Sequence, residues 1–523
     1  MAPQIVHLPD GQTFTVVPVF AGVRFKSHEL NTHPTAWPVG WTVVLHTEGD
    51  ELESAADGGR ELTADGNGSE HMKSIHPFAE PTLQNDTLFI SSISNPPSSE
   101  FKPPASPTRQ IAMMLWITLY WYFHQPAPSP YLTTSASANT PENARPKAEW
   151  KINIKRGGIL RSRHLIPKLE RMGLIASADT AVGTDADDNG DAWAQMFVSR
   201  HMFWQIPARL FLFTLQPNKA LSSFPGSPAG SRPTSPVFSE PQPHSHHRQN
   251  HSHSSLAPPS DGEQNAPLSP STIVTTSSFP IGPFTSTSHL PTYYPPAPLR
   301  YVMTNGVRHP LRPKPPRMGE TFYCRFVPSV GRYLSLRVAS SSPSPVSYLG
   351  PVGPKEAEHQ HLTALSDAAL LQKWLSSPRV KAFWGGYTED FLTNALHSKH
   401  SFPVIGLWDG VPFGYFEIYW VKEDILGRHL GSEADDWDRG LHVLVGEEWA
   451  RGRVPCWLTC LMHWCFCADN RTMNICLEPR VDNAIFLEHL DRAGFAKEKQ
   501  VSFPHKLAWY VKYRRETWEG PAL

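Results

Sequence analysis

The order of apolar segments between residues 439 and 506 constrains the fold of this chain more than any other feature. A short strand, Leu441–Val445, runs into a loop rich in glycine and arginine, Gly446–Arg453, and then into an apolar helix, Val454–Cys467. A second strand, Met473–Leu477, and an amphipathic helix, Asn483–Arg492, follow. This alternation favours an α/β fold in which a mixed sheet carries helices on both faces.

The region 216–318 has a different composition from the rest of the chain. Pro, Ser, Thr and His dominate it, so it cannot bury enough apolar surface to offset the entropy of ordering. We interpret it as a disordered insert or linker between an N-terminal α/β domain, 1–215, and a C-terminal domain, 319–523. A length of 523 residues also predicts more than one core. The N-terminal domain lacks a comparable acid–base pair or phosphate loop, and our hypothesis is that it is a degenerate copy of the C-terminal fold that supports the active half or a dimer.

Charge and apolar patterning argue against several classes of protein. The net charge of −1 provides no basic field for nucleic acid. The longest apolar run, Ile111–His124, has 14 residues, whereas a membrane span needs roughly 20. Six cysteines at spacings that fit no zinc ribbon indicate a reduced intracellular chain. The histidines between positions 244 and 253 are expected to be solvated rather than bound to a metal.

Neither end of the chain carries a recognisable targeting signal. The first residues, MAPQIVHLPDGQTF, lack the basic and apolar regions of a signal peptide. The last four, Gly520–Leu523, do not match a peroxisomal address of the Ser-Lys-Leu type. We therefore expect a cytoplasmic protein, with a peroxisomal location as the alternative.

The loop Gly446–Arg453 is the candidate phosphate site. Backbone N–H groups at a helix start bind phosphate, Gly452 would allow close approach, and Arg451 and Arg453 add positive charge. An ordinary strand–helix loop with surface arginines explains the same residues. The residues expected to contact a phosphate-bearing cofactor are Val445, Gly446, Arg451, Gly452, Arg453 and Asn483.

His442 and Asp482 are the candidate acid–base pair. His442 lies in an apolar strand, and Asp482 lies at the start of a helix that follows the next strand. If the two strands are adjacent, both side chains would face one cleft. The structural alternatives are a histidine that only makes hydrogen bonds in the core and an aspartate that only stabilises the helix start.

Further polar and aromatic side chains near these strands are candidates for substrate binding. Each has a structural alternative, such as core packing, an Arg–Asp pair that braces a turn or a charged hairpin tip. The candidates are Glu417, Tyr419, Trp437, Asp438, Arg439, His505 and Lys506.

Several long motifs resemble one known group of proteins. They are LLQKWLSSPRVKAFW (370–384), HSFPVIGLWDGVPFGYFEIYWVKEDILG (400–427), DWDRGLHVLVGEEWARGRV (436–454), LEPRVDNAIFLEHLDRAGF (477–495) and FPHK (503–506). The chain resembles the GNAT (Gcn5-related N-acetyltransferase) superfamily and, within it, the fungal siderophore acyltransferases that acylate hydroxylated ornithine. N-terminal text such as HLPDGQTFTVVPVF also resembles the fungal members, so the resemblance covers most of 1–215 and 330–515.

The resemblance implies an acyl-CoA donor, N5-hydroxyornithine as acceptor and no tightly bound cofactor or metal. It implies that His442 is the substrate-binding or basic residue and places the acidic partner within EPRVDN, which we assign to Asp482. No cysteine lies in a Cys–His setting, so direct transfer is expected. The N-terminal half most resembles the fusarinine-type branch, which implies anhydromevalonyl as the acyl group, with acetyl next; the lack of a peroxisomal signal argues for acetyl.

Other functions remain open from the sequence. A CoA-dependent acyltransferase for lysine or a polyamine would need a stronger base, because its acceptor is an ammonium. A catalytically inactive acyltransferase fold could serve as a binding scaffold, although His442 and Asp482 are both intact. A homodimer is conceivable, and partners other than the two substrates are not indicated.

Overall fold

The structure is a computed structural model. It describes residues 2–28, 38–49, 74–96, 101–104, 106–162, 164–177, 196–215, 284–285, 299–356 and 358–523. The histidines between 244 and 253 and most of the predicted insert lie outside the described residues.

The N-terminal half is built around one sheet. Its strands alternate between inward apolar and outward polar side chains, as in β2, where Phe14 and Val16 are buried. The strands are β1 Gln4–His7, β2 Thr13–Val19, β3 Gly22–Ser27, β4 Gly40–Gly49, β5 Ser74–Pro77, β6 Asp86–Ser94, β7 Lys151–Ile154, β8 Ala176–Ser177 and β9 Met196–Ser199. The helices are α1 Pro107–Tyr122, α2 Ile166–Arg171 and α3 Arg200–Phe203.

Two short pairs of strands connect the halves. In the first, β10 Phe213–Thr214 pairs in parallel with β11 Phe284–Thr285. In the second, β12 Tyr301–Thr304 and β13 Val307–Pro310 form an antiparallel hairpin. This hairpin falls inside the segment 216–318, whose interpretation as an insert otherwise stays a prediction.

The C-terminal half contains an eight-stranded sheet with helices on both faces. Its strands are β14 Thr321–Val327, β15 Arg332–Val338, β16 Ser401–Trp408, β17 Val411–Trp420, β18 Arg439–Val445, β19 Asn474–Leu477, β20 Ala496–Ser502 and β21 Leu507–Arg514. Its helices are α4 Asp367–Ser376, α5 Pro378–Trp384, α6 Phe391–Leu396, α7 Ile425–Leu430, α8 Val454–Ala468 and α9 Ala484–Arg492. The segment Glu448–Arg453, expected to be an open loop, is a 3₁₀-helix that leads into α8.

The two sheets share one topology. In each, five strands joined in antiparallel are followed by a single parallel pair, β6 with β7 and β18 with β19. An apolar helix, α1 or α8, connects the members of that pair, and a shorter helix, α2 or α9, follows it. The last two strands then pair in crossed order at the sheet edge. The prediction that the N-terminal half repeats the C-terminal fold is confirmed at the level of topology.

The two halves share one core. Residues Met1–Asn218 and Ser277–Leu523 form one compact unit, and the remaining unit, Lys219–Thr276, lies outside the described residues. Between the halves, the Tyr333 hydroxyl donates a 3.1 Å hydrogen bond to the Leu8 carbonyl. Arg515 donates to Gln205 Oε1 at 2.8 Å. No helix within the described part of the chain has the length and apolar character of a membrane span.

The parallel pair of the C-terminal sheet opens a cleft. β18 and β19 are paired only where Arg439 and Gly440 lie beside Ile475 and Cys476. Beyond these residues the two strands separate, so the edge of β18 that faces β19 is left without a strand partner along Leu441–Val445. The start of α8 and the start of α9 flank this gap, and the candidate site lies around it.

Candidate functional site

His442 lies between two glutamates. In the register of β17 and β18 it stands opposite Glu417, and its Nδ1 is 3.0 Å from Glu417 Oε2. Its Nε2 is 2.7 Å from Oε1 of Glu478, the residue that follows β19. The strands on either side of β18 therefore supply one carboxylate to each ring nitrogen, Glu417 from within β17 and Glu478 from the end of β19.

Two tyrosines hold the outer oxygens of these carboxylates. The Tyr415 hydroxyl donates to Glu417 Oε1 at 2.7 Å, and the Tyr419 hydroxyl donates to Glu478 Oε2 at 2.8 Å. The Tyr419 ring also lies 4.4 Å from the His442 ring. A Cβ atom at Gly440 would stand 2.0 Å from the Tyr419 ring, so glycine is required there for this arrangement.

The carboxylates control the charge of the histidine. Burial alone would lower the pKa of His442, but the charges and hydrogen bonds of Glu478 and Glu417 outweigh it and hold the pKa well above its ordinary value. Burial alone would raise the pKa of Glu478, but His442, Lys506 and Tyr419 hold it at about 2. His442 is therefore an imidazolium at neutral pH, and both of its N–H groups donate to carboxylates.

Asp482 does not contact His442 in this structure, which corrects the predicted pair. Both ring nitrogens of His442 are bonded to other carboxylates, and the Asp482 side chain is 56% exposed. Asp482 instead accepts a 3.0 Å hydrogen bond from Arg480 Nε. Glu478 takes the predicted position because it ends the strand next to β18, whereas Asp482 lies beyond the following turn. Its place at the end of that strand was the sequence signal that could have identified it.

A cavity of about 790 Å³ fills the gap between β18, α5, and the starts of α8 and α9. Four of the six residues predicted to bind a phosphate-bearing cofactor line it: Val445, Arg451, Gly452 and Asn483. Asn483 also caps α9, since its side chain accepts from the Phe486 N–H at 3.4 Å. Asp482 lines the same cavity.

The other two predicted cofactor residues, Gly446 and Arg453, do not line this cavity. A Cβ atom at Gly446 would stand 2.2 Å from the Trp374 ring, so Gly446 is a packing position. The guanidinium of Arg453 lies over the rings of Trp408 and Trp449, at 5.4 and 5.3 Å from their centroids.

Side chains of α5 occupy part of the free edge of β18. Trp384 Nε1 donates to the Val443 carbonyl at 3.2 Å. Arg379 donates to the carbonyls of Val445 and Gly446 at 3.2 and 3.1 Å. Trp384 also meets His442 edge-on, with 6.3 Å between ring centroids, and it lines the cavity. α5 therefore connects the histidine with the cavity, a role that no pattern in the sequence predicted.

Three of the seven predicted substrate residues lie at His442, and the other four lie elsewhere. Glu417, Tyr419 and Lys506 belong to the cluster around His442, since Lys506 Nζ donates to the Glu478 carbonyl at 2.9 Å. His505 is exposed near Phe503.

Trp437, Asp438 and Arg439 are not brought to His442. Trp437 stacks under the Arg471 guanidinium at 3.5 Å. Asp438 is buried and accepts from Asn474 at 2.8 Å, and burial raises its pKa to about 6. Arg439 is three residues before His442 on one strand, so its side chain points to the opposite face of the sheet.

Comparisons with known proteins show which family the chain resembles. Residues 363–503 match the family described as acetyltransferase (GNAT) domain. The N5-hydroxyornithine acetylase sidL of Beauveria bassiana (strain ARSEF 2860) is 57% identical over 534 aligned positions, which cover 97% of this chain and 99% of that protein.

Two further relatives match a smaller share of the chain. The N(5)-hydroxyornithine:cis-anhydromevalonyl coenzyme A-N(5)-transacylase SIDF of the same organism is 36% identical over 40% of this chain and 42% of its own length. The N(6)-hydroxylysine O-acetyltransferase of Escherichia coli is 38% identical over 37% of this chain and 56% of its own length.

The diverging parallel strands, the cavity between them and the family match define an acyl-CoA-dependent N-acyltransferase with a GNAT domain. More narrowly, the near full-length similarity shows that the chain belongs to the family of the Beauveria bassiana N5-hydroxyornithine acetylase sidL.

Proposed function

We propose that this enzyme transfers an acyl group from acyl-CoA to the hydroxylated nitrogen of N5-hydroxyornithine and thereby forms a hydroxamate for siderophore synthesis. The similarity to sidL over 97% of the chain supports the acceptor. The observation that carries the chemistry is the Glu417–His442–Glu478 cluster beside the cavity between β18 and β19.

The cavity is the proposed site of acyl-CoA. Arg451 and Gly452 line it at the entry to α8, where positive charge and backbone N–H groups favour a pyrophosphate. The free edge of β18 offers backbone groups to an extended pantetheine arm. On this proposal the thioester lies near Trp384, which lines the cavity and contacts His442.

A hydroxylamine acceptor suits the Glu417–His442–Glu478 cluster, whose three side chains are already charged. A hydroxylamine nitrogen is largely neutral near pH 7, so it can attack the thioester without prior deprotonation. The new N–C bond forms, the proton leaves the nitrogen for the Glu417–His442–Glu478 cluster, and the C–S bond breaks as the cluster returns that proton to the sulfur, which departs as coenzyme A thiol. The three groups hold protons as a coupled unit, so we assign the acceptor role to the cluster and not to one atom.

Acetyl is the acyl group that we now propose. The sequence alone favoured anhydromevalonyl, but the relative that matches nearly the whole chain is named an acetylase. The anhydromevalonyl transacylase matches 40% of the chain at 36% identity. A cytoplasmic location and a homodimer stay predictions, which a fluorescent fusion and light scattering on the purified chain would test.

An assay with purified full-length protein tests the proposal. Acetyl-CoA or anhydromevalonyl-CoA is offered with N5-hydroxyornithine, ornithine or lysine, and both thiol release and the coloured ferric hydroxamate are measured. We expect thiol and hydroxamate with acetyl-CoA and N5-hydroxyornithine only. Thiol release with lysine or ornithine and none with N5-hydroxyornithine would overturn the acceptor, and faster turnover of anhydromevalonyl-CoA would overturn the donor.

A further inference from the structure

A second cavity, of about 730 Å³, lies where the two halves meet. We call it the junction cavity. Aromatic side chains from both halves line it, among them Trp116, Trp204, Phe402 and Trp464. Its volume falls in the range of sites that bind small molecules. Apolar walls of this kind suit a ligand with an aliphatic or aromatic body.

The junction cavity is separate from the cleft beside His442. Arg439 lines it from the face of the sheet opposite to that of His442, and no residue lines both cavities. Part of its wall comes from the end of α8, through His463 and Trp464, whereas the cleft beside His442 lies at the start of the same helix. A ligand in one cavity therefore leaves the other free.

Arg439 is a buried cation without a direct counterion. Only 5% of the residue is exposed, and its guanidinium lies 3.3 Å from the Trp420 ring centroid. Within the described part of the chain, its guanidinium makes no hydrogen bond or ion pair, and Nε is buried without a partner. Two acidic residues, Asp469 and Glu423, act on Arg439 through their charge. Both already form hydrogen bonds with other arginines, Asp469 with Arg471 and Glu423 with Arg312. A buried charge is costly unless it is paired, so this position favours an incoming anion.

A second arginine at the same cavity is also incompletely bonded. Arg325 is 1% exposed and donates from Nη1 to the Ala522 carbonyl at 2.7 Å. Its Nε and Nη2 are buried and have no partner among the described residues, and the same is true of Tyr120 Oη and Trp116 Nε1. Donors without acceptors thus gather around one cavity, which is rare in a folded protein.

Most of the charged side chains at the wall of the cavity are positive. Lys314, Arg317 and Lys399 line it, and Glu320 is its one acidic lining residue within the described part of the chain. The whole chain has a net charge of −1, so this concentration of cations is local. It would attract an anion towards Arg439 and would oppose a cationic ligand.

We propose that the junction cavity binds a small anionic amphiphile, a carboxylic acid or phosphate monoester with an apolar body, whose anionic group pairs with Arg439. The guanidinium fork matches carboxylate and phosphate oxygens, and the aromatic walls contact the apolar body. The proposal is independent of the acyl-transfer activity, because it concerns binding on the other face of the sheet.

Calorimetric titration of the full-length protein with decanoate, decyl phosphate, decanol and decylamine tests the proposal. Saturating coenzyme A is present, so that the cleft beside His442 does not compete. We expect decanoate or decyl phosphate to bind at least about tenfold more tightly than decanol, because a charge-assisted pair is worth at least that factor. The stronger of the two anions identifies the head group. Equal binding of decanol, tighter binding of decylamine or no binding at all would overturn the proposal.

Variants locate the anion. Arg439→Met keeps an apolar stem against Trp420 and should remove the preference for anions over decanol. Arg492→Met, which removes an exposed arginine on α9, is the matched control and should bind as the unsubstituted protein does. Wild-type affinity in Arg439→Met would overturn the proposal. If circular dichroism shows that Arg439→Met is unfolded, Arg439→Lys replaces it: a retained anion preference with weaker binding supports the proposal, and unchanged affinity contradicts it.

Discussion

At the scale of single residues, the site depends on which carboxylates form hydrogen bonds with His442. Glu478 contacts Nε2 at 2.7 Å and Glu417 contacts Nδ1 at 3.0 Å, while the exposed Asp482 pairs with Arg480. If the cluster accepts the proton during transfer, its carboxylates set the basicity of the imidazole and its orientation. Substituting Glu478 and Asp482 separately therefore tests which of these two carboxylates acts together with His442.

Glu478→Gln should reduce kcat by on the order of 10²- to 10⁴-fold, the usual contribution of general acid–base catalysis. The substitution keeps the shape of the side chain but removes the charge that raises the pKa of His442. The pH profile of kcat should therefore shift to lower pH together with the loss of rate. Both are read from thiol release between pH 5 and 9.

Asp482→Asn is the comparison for that experiment. It lies at the cavity but does not bond to His442, so its effect should fall mainly on KM for acyl-CoA and its loss of kcat should be much smaller. A loss of kcat in Asp482→Asn as large as that in Glu478→Gln would restore the pair predicted from the sequence.

The same charges make stability depend on pH. Because the folded pKa of His442 is raised, its contribution to stability is complete below the ordinary value of about 6.5 and is lost as the pH rises through the folded pKa. Glu478, with a pKa of about 2, contributes above its ordinary pKa and loses that contribution as the pH falls towards 2. Urea unfolding of the protein and of His442→Gln should show a difference in stability that narrows above neutral pH. A constant difference from pH 6 to 10 would contradict this.

The sequence predicted part of this site for physical reasons that can be named. His442 stood out because it is polar within an apolar strand, and Glu417 because it shares a strand face with Tyr419. The sequence did not identify Glu478 as a hydrogen-bond partner of His442, because the positions of Glu478 and Asp482 depend on how the chain turns after β19. That turn is set by tertiary pairing, as in the bridge between Arg480 and Ala508, which no local pattern in the sequence reveals.

At the scale of elements, the connection between β18 and α8 combines packing with an open wall of the cavity. Gly446 fits against the buried Trp374, whose Nε1 donates to Glu447 at 2.7 Å and so fixes the ring. Gly452 has no atom within 4 Å of the position that a Cβ would take. The sequence predicted one phosphate loop from both glycines. The tertiary packing shows that Gly446 is a packing position, whereas Gly452 lines the cavity.

Gly446→Ala should lower the free energy of unfolding by about 1–3 kcal/mol, because the new methyl group would overlap the Trp374 ring. Gly452→Ala is the matched control. It meets no neighbour, and its reduced chain entropy should leave stability equal or raised by about 0.4–1 kcal/mol. Urea denaturation measures both. Equal destabilisation of the two variants would contradict the assignment.

At the scale of the whole molecule, the N-terminal half repeats the fold of the C-terminal half but not the residues of its candidate site. Counted from the two parallel pairs, His442 corresponds to Ile90, and Val43 stands opposite Ile90 as Glu417 stands opposite His442. By the same count Arg156 takes the place of Glu478. From the sequence we hypothesised such a copy, and we noted that it lacks a comparable acid–base pair. It could not show that both halves share one core, because contacts between distant segments leave no local periodicity.

The shared core predicts that the two halves unfold together. Trp518, at the C-terminal end of the chain, is 1% exposed, and its Nε1 donates to the Trp204 carbonyl of the N-terminal half. His201 Nδ1 lies 2.6 Å from the Trp518 carbonyl. Because these groups bury one another, neither half should keep its stability once the other is lost. Calorimetry of the full chain should therefore show one cooperative transition for the described halves.

Trp518→Ala tests this coupling, because it removes one of the two tryptophans that meet at that contact. We expect a loss of about 3–5 kcal/mol, as for other buried tryptophans, and a broader or divided transition. Trp437→Ala is the control, since Trp437 is partly exposed and packs within the C-terminal half against Trp420 and Arg471. This substitution should lower the midpoint temperature of unfolding but leave a single unfolding transition. Two separate transitions in the unsubstituted protein would show that the halves are independent domains after all.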